Sequence, residues 1–171
     1  MSIQDMPYKA LSRLVELSPG RYREDHGLSF NDFEVGEIYE HRPGRTITEA
    51  DNIWMSLVSM NNHPLHIDSN FARDTEFGVV LVSSLVTFSI VGGMSLASTS
   101  AKGIANLGWD KVRLLSPVFV GDTIYAESEV IAKRRSQSRP GQGIVSVRTK
   151  GLKDSGEVFL TCERSFLINL V

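Results

Sequence analysis

Residues 79–97, VVLVSSLVTFSIVGGMSLA, form an apolar run with no second example in the chain, and how they are read decides the fold. Nineteen such residues match the length of a membrane span. Ser83, Ser84, Thr87, Ser89, Gly92, Gly93 and Ser95 interrupt the run, and neither an aromatic belt nor a cationic cluster flanks it. The whole chain is slightly hydrophilic. A helix buried inside a soluble sheet protein is the better reading, apolar nearly all round because something wraps it. Its expected extent is about Ser83 to about Ser100, roughly 27 Å at 1.5 Å per residue. Gly92-Gly93 inside it costs roughly 1 kcal/mol per glycine relative to alanine, which suggests close approach by a neighbouring backbone or a ligand.

The stretch before the run is polar. Asn61, Asn62, His63, His66 and Asp68 crowd into ten residues, and all can orient water or move protons. Pro64 stiffens their middle and pushes His63 into an extended conformation. A polar cluster feeding an apolar element can make the floor and wall of a site; the plainer reading is a loop with two surface histidines. Thr48-Glu49-Ala50-Asp51 has the form of a capping box. Ile53, Trp54, Leu57, Val58 and Met60 follow at helical spacing, so about three turns of helix deliver Asn61. A short helix is expected over Ser69–Thr75 with Asp68 or Ser69 as its N-cap, and capping is the simpler role for Asp68.

Farther out, residues 1–30 make a polar arm. Leu11, Leu14, Val15 and Leu17 suggest a short amphipathic helix there, ending at Pro19-Gly20. Phe33–Tyr39 reads as a turn and first strand, broken by Pro43-Gly44. Beyond the apolar run, Ile104–Leu115, Asp122–Arg135, Gly143–Lys153 and Gly156–Leu170 read as long strands, the last two joined at Asp154-Ser155-Gly156. Ile124, Ala126, Ser128, Val130 and Ala132 should share one face of their strand. Connection lengths make the strands antiparallel. One helix and a long curling sheet give an α+β fold, the sheet wrapped around a central helix.

At 171 residues the chain suits one domain, residues 31–171 after the arm. A net charge of −2 without a basic block argues against nucleic acid as a partner. A single cysteine, Cys162, rules out an internal disulfide and fits a reducing, cytoplasmic setting. No secretory signal is visible at the N-terminus. His26 and His41 stand alone, and His63/His66 lack a third ligand, so no metal site is expected.

These residues carry a resemblance. Asn61-Asn62-His63-Pro64-Leu65-His66 occupies the places of an Asp-x-Asn-Pro-Leu-His motif. Phe71-Ala72, Thr75-Glu76-Phe77-Gly78 and Ser116-Pro117-Val118-Phe119-Val120-Gly121-Asp122 fit the same family. Over residues 30–170 the chain resembles a MaoC-like dehydratase of the hot-dog superfamily, which includes (R)-specific enoyl-CoA hydratases. Residues 43–51, 106–110 and 136–140 resemble the subgroup acting on mesaconyl-, itaconyl- or β-methylmalyl-CoA.

The resemblance implies a hydratase or dehydratase of 2-enoyl-CoA thioesters, with a C4-dicarboxylic acyl-CoA as the narrower expectation. It needs no cofactor beyond the CoA thioester itself, and implies a homodimer or higher homo-oligomer. His66 is then the general base or acid. Asn61 stands where the family has Asp, and so orients water without taking a proton. Ser83-Ser84 stands where the family has His-Gly, and the Ser84 N–H becomes the oxyanion donor. His63, Asp68, Ser83 and Gly92 are expected at the substrate. Arg45, Arg135 and Arg139 are expected to meet a distal carboxylate or CoA phosphates. Two alternatives remain open: an acyl-CoA thioesterase on the same fold, and a non-catalytic acyl-CoA-binding subunit.

Overall fold

The computed structural model describes residues 8–170; the arm's first seven residues and Val171 lie outside that span. The elements run β1 (Ser12–Ser18), β2 (Arg21–His26), β3 (Ile38–Thr46), α1 (Glu49–Val58), α2 (Ser69–Arg73), α3 (Ser84–Ser95), β4 (Gly103–Leu114), β5 (Thr123–Arg135), β6 (Gln142–Lys153) and β7 (Val158–Asn169). Strands β3 to β7 form one sheet in the order β3-β5-β6-β7-β4, with every neighbouring pair antiparallel. Helix α3 packs on β5 and β6. The α+β expectation and the four late strands therefore stand.

The core follows from strand alternation. Ile124, Ala126, Ser128 and Val130 point inward from β5 and are buried. Val82, Val86 and Val91 meet Ile124, Ala126, Phe159, Leu160 and Cys162 beneath α3. Each large aliphatic group so placed is worth about 1.5–3 kcal/mol. Ala132, expected on the same face, is exposed. The register slips between Val130 and Ala132, and one extra residue turns the next side chain outward.

Three further expectations change. Leu11–Leu17 do not form a helix: β1 pairs with β2 across the two-residue loop Pro19-Gly20, where Gly20 has φ +74°. A helix that short is marginal alone, and Pro-Gly presets a tight turn. Asp25 pairs with Arg13 across the hairpin at 2.8 Å and ties the hairpin to Lys102, just before β4, at 2.9 Å. Pro43-Gly44 does not end its strand but sits in a register shift within β3. That strand is an edge, where a missing N–H costs no ladder bond. Finally, α3 stops at Ser95, about 18 Å after it starts. The hydroxyls of Ser95 and Thr99 donate to the carbonyls of Gly92 and Ser95, competing with the helical ladder, and the chain continues in turns.

Helix α1 starts as expected. Asp51 N–H donates to Thr48 Oγ1 at 3.3 Å and Thr48 N–H donates to Asp51 Oδ2 at 2.9 Å. Its buried face is polar, however. Asn52 and Ser56 are buried, whereas Trp54, Leu57, Val58 and Met60 are exposed.

Candidate active site

The loop after α1 turns sharply at Met60, whose φ is +56°, and the Asn61 N–H returns to Ser56 O. His63 is extended, as Pro64 requires, and starts a 3₁₀ turn over Pro64–His66. The next segment runs back beside this turn, with Leu81 N–H on Leu65 O at 3.1 Å, and enters α3 through Ser83. A cleft of ≈ 450 Å³ opens between this loop, the start of α3 and the segment from Leu114 to Val118. His63, His66, Ser84 and Thr87 line it beside Leu65, Phe77, Leu81, Val82 and Phe159; among the described residues no Arg or Lys does.

The two imidazoles hold opposite tautomers. His66 Nδ1 lies 2.9 Å from Leu81 O, and a carbonyl only accepts. Nδ1 therefore carries the proton, and Nε2 keeps its lone pair for the cleft. His63 Nδ1 accepts from Leu65 N–H at 3.2 Å, which puts its proton on Nε2. The rings sit 6.0 Å apart. One offers a base and the other a donor.

Asn61 Nδ2 donates to Ser83 Oγ at 3.3 Å, and Asn61 Oδ1 faces His63 N–H at 3.4 Å. Both contacts are long, so the amide can reorient toward a ligand. Ser84 is the first residue of α3, so its N–H has no acceptor within the helix. The positive end of the helix dipole adds to that donor.

Of the residues singled out in the sequence, His63, His66 and Ser84 line the cleft. Asn61 and Ser83 sit behind that lining, joined to each other, and Ser83, expected at the substrate, is fully buried. Asp68 is the N-cap of α2, and its Oδ1 accepts from Asn70 and Phe71 N–H. Gly92 lies under the indole of Trp109, where an added Cβ would be 3.3 Å away. The close approach suggested by the glycine is thus made by a side chain. Arg45 pairs with Asp51 at the start of α1, and Arg139 lies in the β5–β6 connection. Neither lines the cleft. Among the described residues, no cluster of His, Cys, Asp or Glu could hold a metal ion.

Sequence reading missed Asn52. It is 1 % exposed, and its amide donates to His66 O at 2.8 Å and Leu81 O at 3.3 Å. Its Oδ1 accepts from Ser83 N–H at 2.8 Å. The sign of it was a polar pair, Asn52 and Ser56, four residues apart on one helical face.

A family model for the MaoC-like domain matches residues 31–151. The chain belongs to the MaoC-like dehydratase family. It is 34% identical to mesaconyl-CoA hydratase of Cereibacter sphaeroides over 83% of its length, but spans only 41% of that relative. It is 29% identical to (R)-specific enoyl-CoA hydratase of Aeromonas caviae, covering 80% of this chain and 96% of the other. A Mycobacterium tuberculosis protein with a double hotdogfold superposes with TM-score 0.78 at 23% identity, over 85% of this chain and 45% of that one. The sheet and central helix of this MaoC-like chain are thus a hot-dog fold. Within it the loop after α1 and the start of α3 bound the cleft. No helix among the described residues is long and apolar enough to cross a membrane.

Proposed function

We propose that this protein adds water to, or removes it from, the 2,3 bond of a short 2-enoyl-CoA thioester. The observation that carries this reading is His66: a proton fixed on Nδ1 by Leu81 O, and a free Nε2 at the cleft beside the Ser84 amide. In hydration, Nε2 takes a proton from water as the oxygen bonds to Cβ. The C2–C3 π electrons move to the thioester, where Ser84 N–H holds the growing enolate charge. The proton then passes from His66 to Cα, completing a syn addition with one group as base and acid. Asn61 orients the water and takes no proton.

Relatives named for mesaconyl-CoA and β-methylmalyl-CoA support a branched C4-dicarboxylic substrate. Among the described residues no Arg or Lys lines the cleft, and His63 Nε2–H is one donor, beside the hydroxyl of Ser84, that could meet a second carboxylate. A homodimer joined along β4 fits this reading. That strand is a sheet edge exposing Ile104, Leu107, Val112 and Leu114, and sedimentation would test it. The buried thiol of Cys162 suits the cytosol.

Asn61 favours a second reading, that of a binding subunit, because an amide stands where the resemblance implies a carboxylate. Turnover of crotonyl-, mesaconyl- and itaconyl-CoA, followed by enoyl absorbance and product mass, separates the two. Hydration of any substrate supports the enzyme. Tight binding of all three without turnover supports the subunit, and release of free thiol would indicate a thioesterase.

A further inference from the structure

We infer that Asn52 is a positioning residue, aligning the His66 base and the Ser84 amide through one buried carboxamide. The inference deepens the hydratase reading and rests on it. Asn52 does not line the cleft. It sits on the inner face of α1, which carries no other buried residue than Ser56. Its three hydrogen bonds reach three separate places. One goes to the carbonyl of His66 itself. A second goes to Leu81 O, the same oxygen that accepts the His66 Nδ1 proton. The third comes from Ser83 N–H, one residue before the proposed oxyanion donor. Leu81 O thus has both lone pairs engaged, one by each partner.

The carboxamide is matched to this task. Its oxygen must accept and its nitrogen must donate twice, and no other uncharged side chain of that length does both. Apolar packing does little of the work, since the helix exposes most of its large apolar side chains. Removing the amide leaves the Ser83 N–H and His66 carbonyl buried without partners, which favours local rearrangement at both reacting positions. Misplacement by about 1 Å costs up to about a hundredfold in rate.

The variants are Asn52→Leu, Asn52→Asp and, as a control for the docking of α1, Ser56→Ala. Hydration, by the purified protein, of whichever of crotonyl-, mesaconyl- and itaconyl-CoA the parent turns over fastest is the assay. Asn52→Leu is expected to lower kcat by about tenfold to a hundredfold, with KM changed less than about threefold. Ser56 Oγ has no hydrogen-bond partner, and Ser56→Ala should keep the parent kcat. In Asn52→Asp one oxygen still accepts from Ser83 N–H, but the other faces two carbonyl oxygens. It matches asparagine only when protonated, so its kcat should rise relative to the parent as pH falls from about 7.5 to about 5.5. Unchanged kcat in Asn52→Leu would overturn the inference. So would a loss that only follows the unfolded fraction, or an Asn52→Asp profile parallel to that of the parent.

If the parent itself turns over no acyl-CoA, the hydratase reading fails, and ¹⁵N NMR still tests the positioning. The parent's His66 should show a single tautomer protonated at Nδ1, and Asn52→Leu a mixture. An unchanged tautomer would overturn the inference independently.

Discussion

His66 and His41 lie near opposite ends of the same helix, and their fates differ. His66 precedes α3, spends Nδ1 on Leu81 O and turns Nε2 to an open cleft. His41, on β3, lies beneath the turns that follow α3 and is 4 % exposed. Both of its nitrogens are engaged, with Ser98 Oγ at 2.9 Å and Ser128 Oγ at 2.8 Å. Ser128 continues the chain to Thr149 Oγ1 at 2.8 Å. Burial, aided by the charges of Arg164 and Arg42, pushes the His41 pKa down to about 4. Arg164 is buried there too, held by the hydroxyls of Ser95 and Thr99 and stacked near Trp109 and Phe166. The chemistry of a histidine is decided by which of its nitrogens is left over. One leaves a lone pair facing a cleft; the other leaves nothing.

The comparison can be broken by substitution. His66→Ala should lower hydration of the accepted enoyl-CoA by roughly a hundredfold or more, the scale of lost general acid–base catalysis, with circular dichroism unchanged. Near-parental turnover would remove His66 from the mechanism. His41→Ala should show the opposite pattern. Orphaning the Ser98 hydroxyl, and leaving Ser128 with Thr149 alone, should cost about 2 kcal/mol or more, lowering Tm by several degrees while kcat stays within about twofold.

A smaller effect sharpens the same contrast. His41 has a folded pKa of about 4 against an ordinary 6.5, so the unfolded chain binds more protons between those values. Its contribution is therefore complete above about 6.5 and is lost as pH falls toward 4. Urea midpoints measured from pH 7.5 to 4.5 should fall, and His41→Ala should fall less steeply. Equal slopes would mean that His41 is not held neutral. The smallest effect concerns the adjacent glycines of α3. Gly93 has open space where a Cβ would go, so Gly93→Ala should stabilise by up to about 1 kcal/mol. Gly92→Ala presses on Trp109 at 3.3 Å and should gain less or lose. Thermal melts of the two variants compare them directly.

Much of this was legible in the residues. The capping box at Thr48, the N-cap at Asp68 and the hairpin at Gly156 are local, because their hydrogen bonds close within four residues. Alternation marked β5 because one of its faces is buried. The N-terminal hairpin was misread because its strands are exposed on both faces and leave no clean period. The end of α3 was misread because hydroxyl-to-carbonyl bonds, which residue types alone do not reveal, stop the helix early. His66, Asn61 and Ser84 came from the motif and the helix start. Asn52 carries no motif, and its three partners lie 14, 29 and 31 residues away.

The sequence by itself determined the sheet-and-helix class, the cluster of Asn61, His63 and His66, and its delivery beside an apolar helix. Periodicity and capping are short-range, and the chain writes them residue by residue. Tertiary structure alone decided that His63 and His66 hold opposite tautomers and that Arg45 and Arg139 miss the cleft. It also set Gly92 under Trp109 and made Asn52 the tie between base and helix start. Each of these depends on a partner supplied by a distant segment, and a hydrogen bond has no direction until both of its ends are placed.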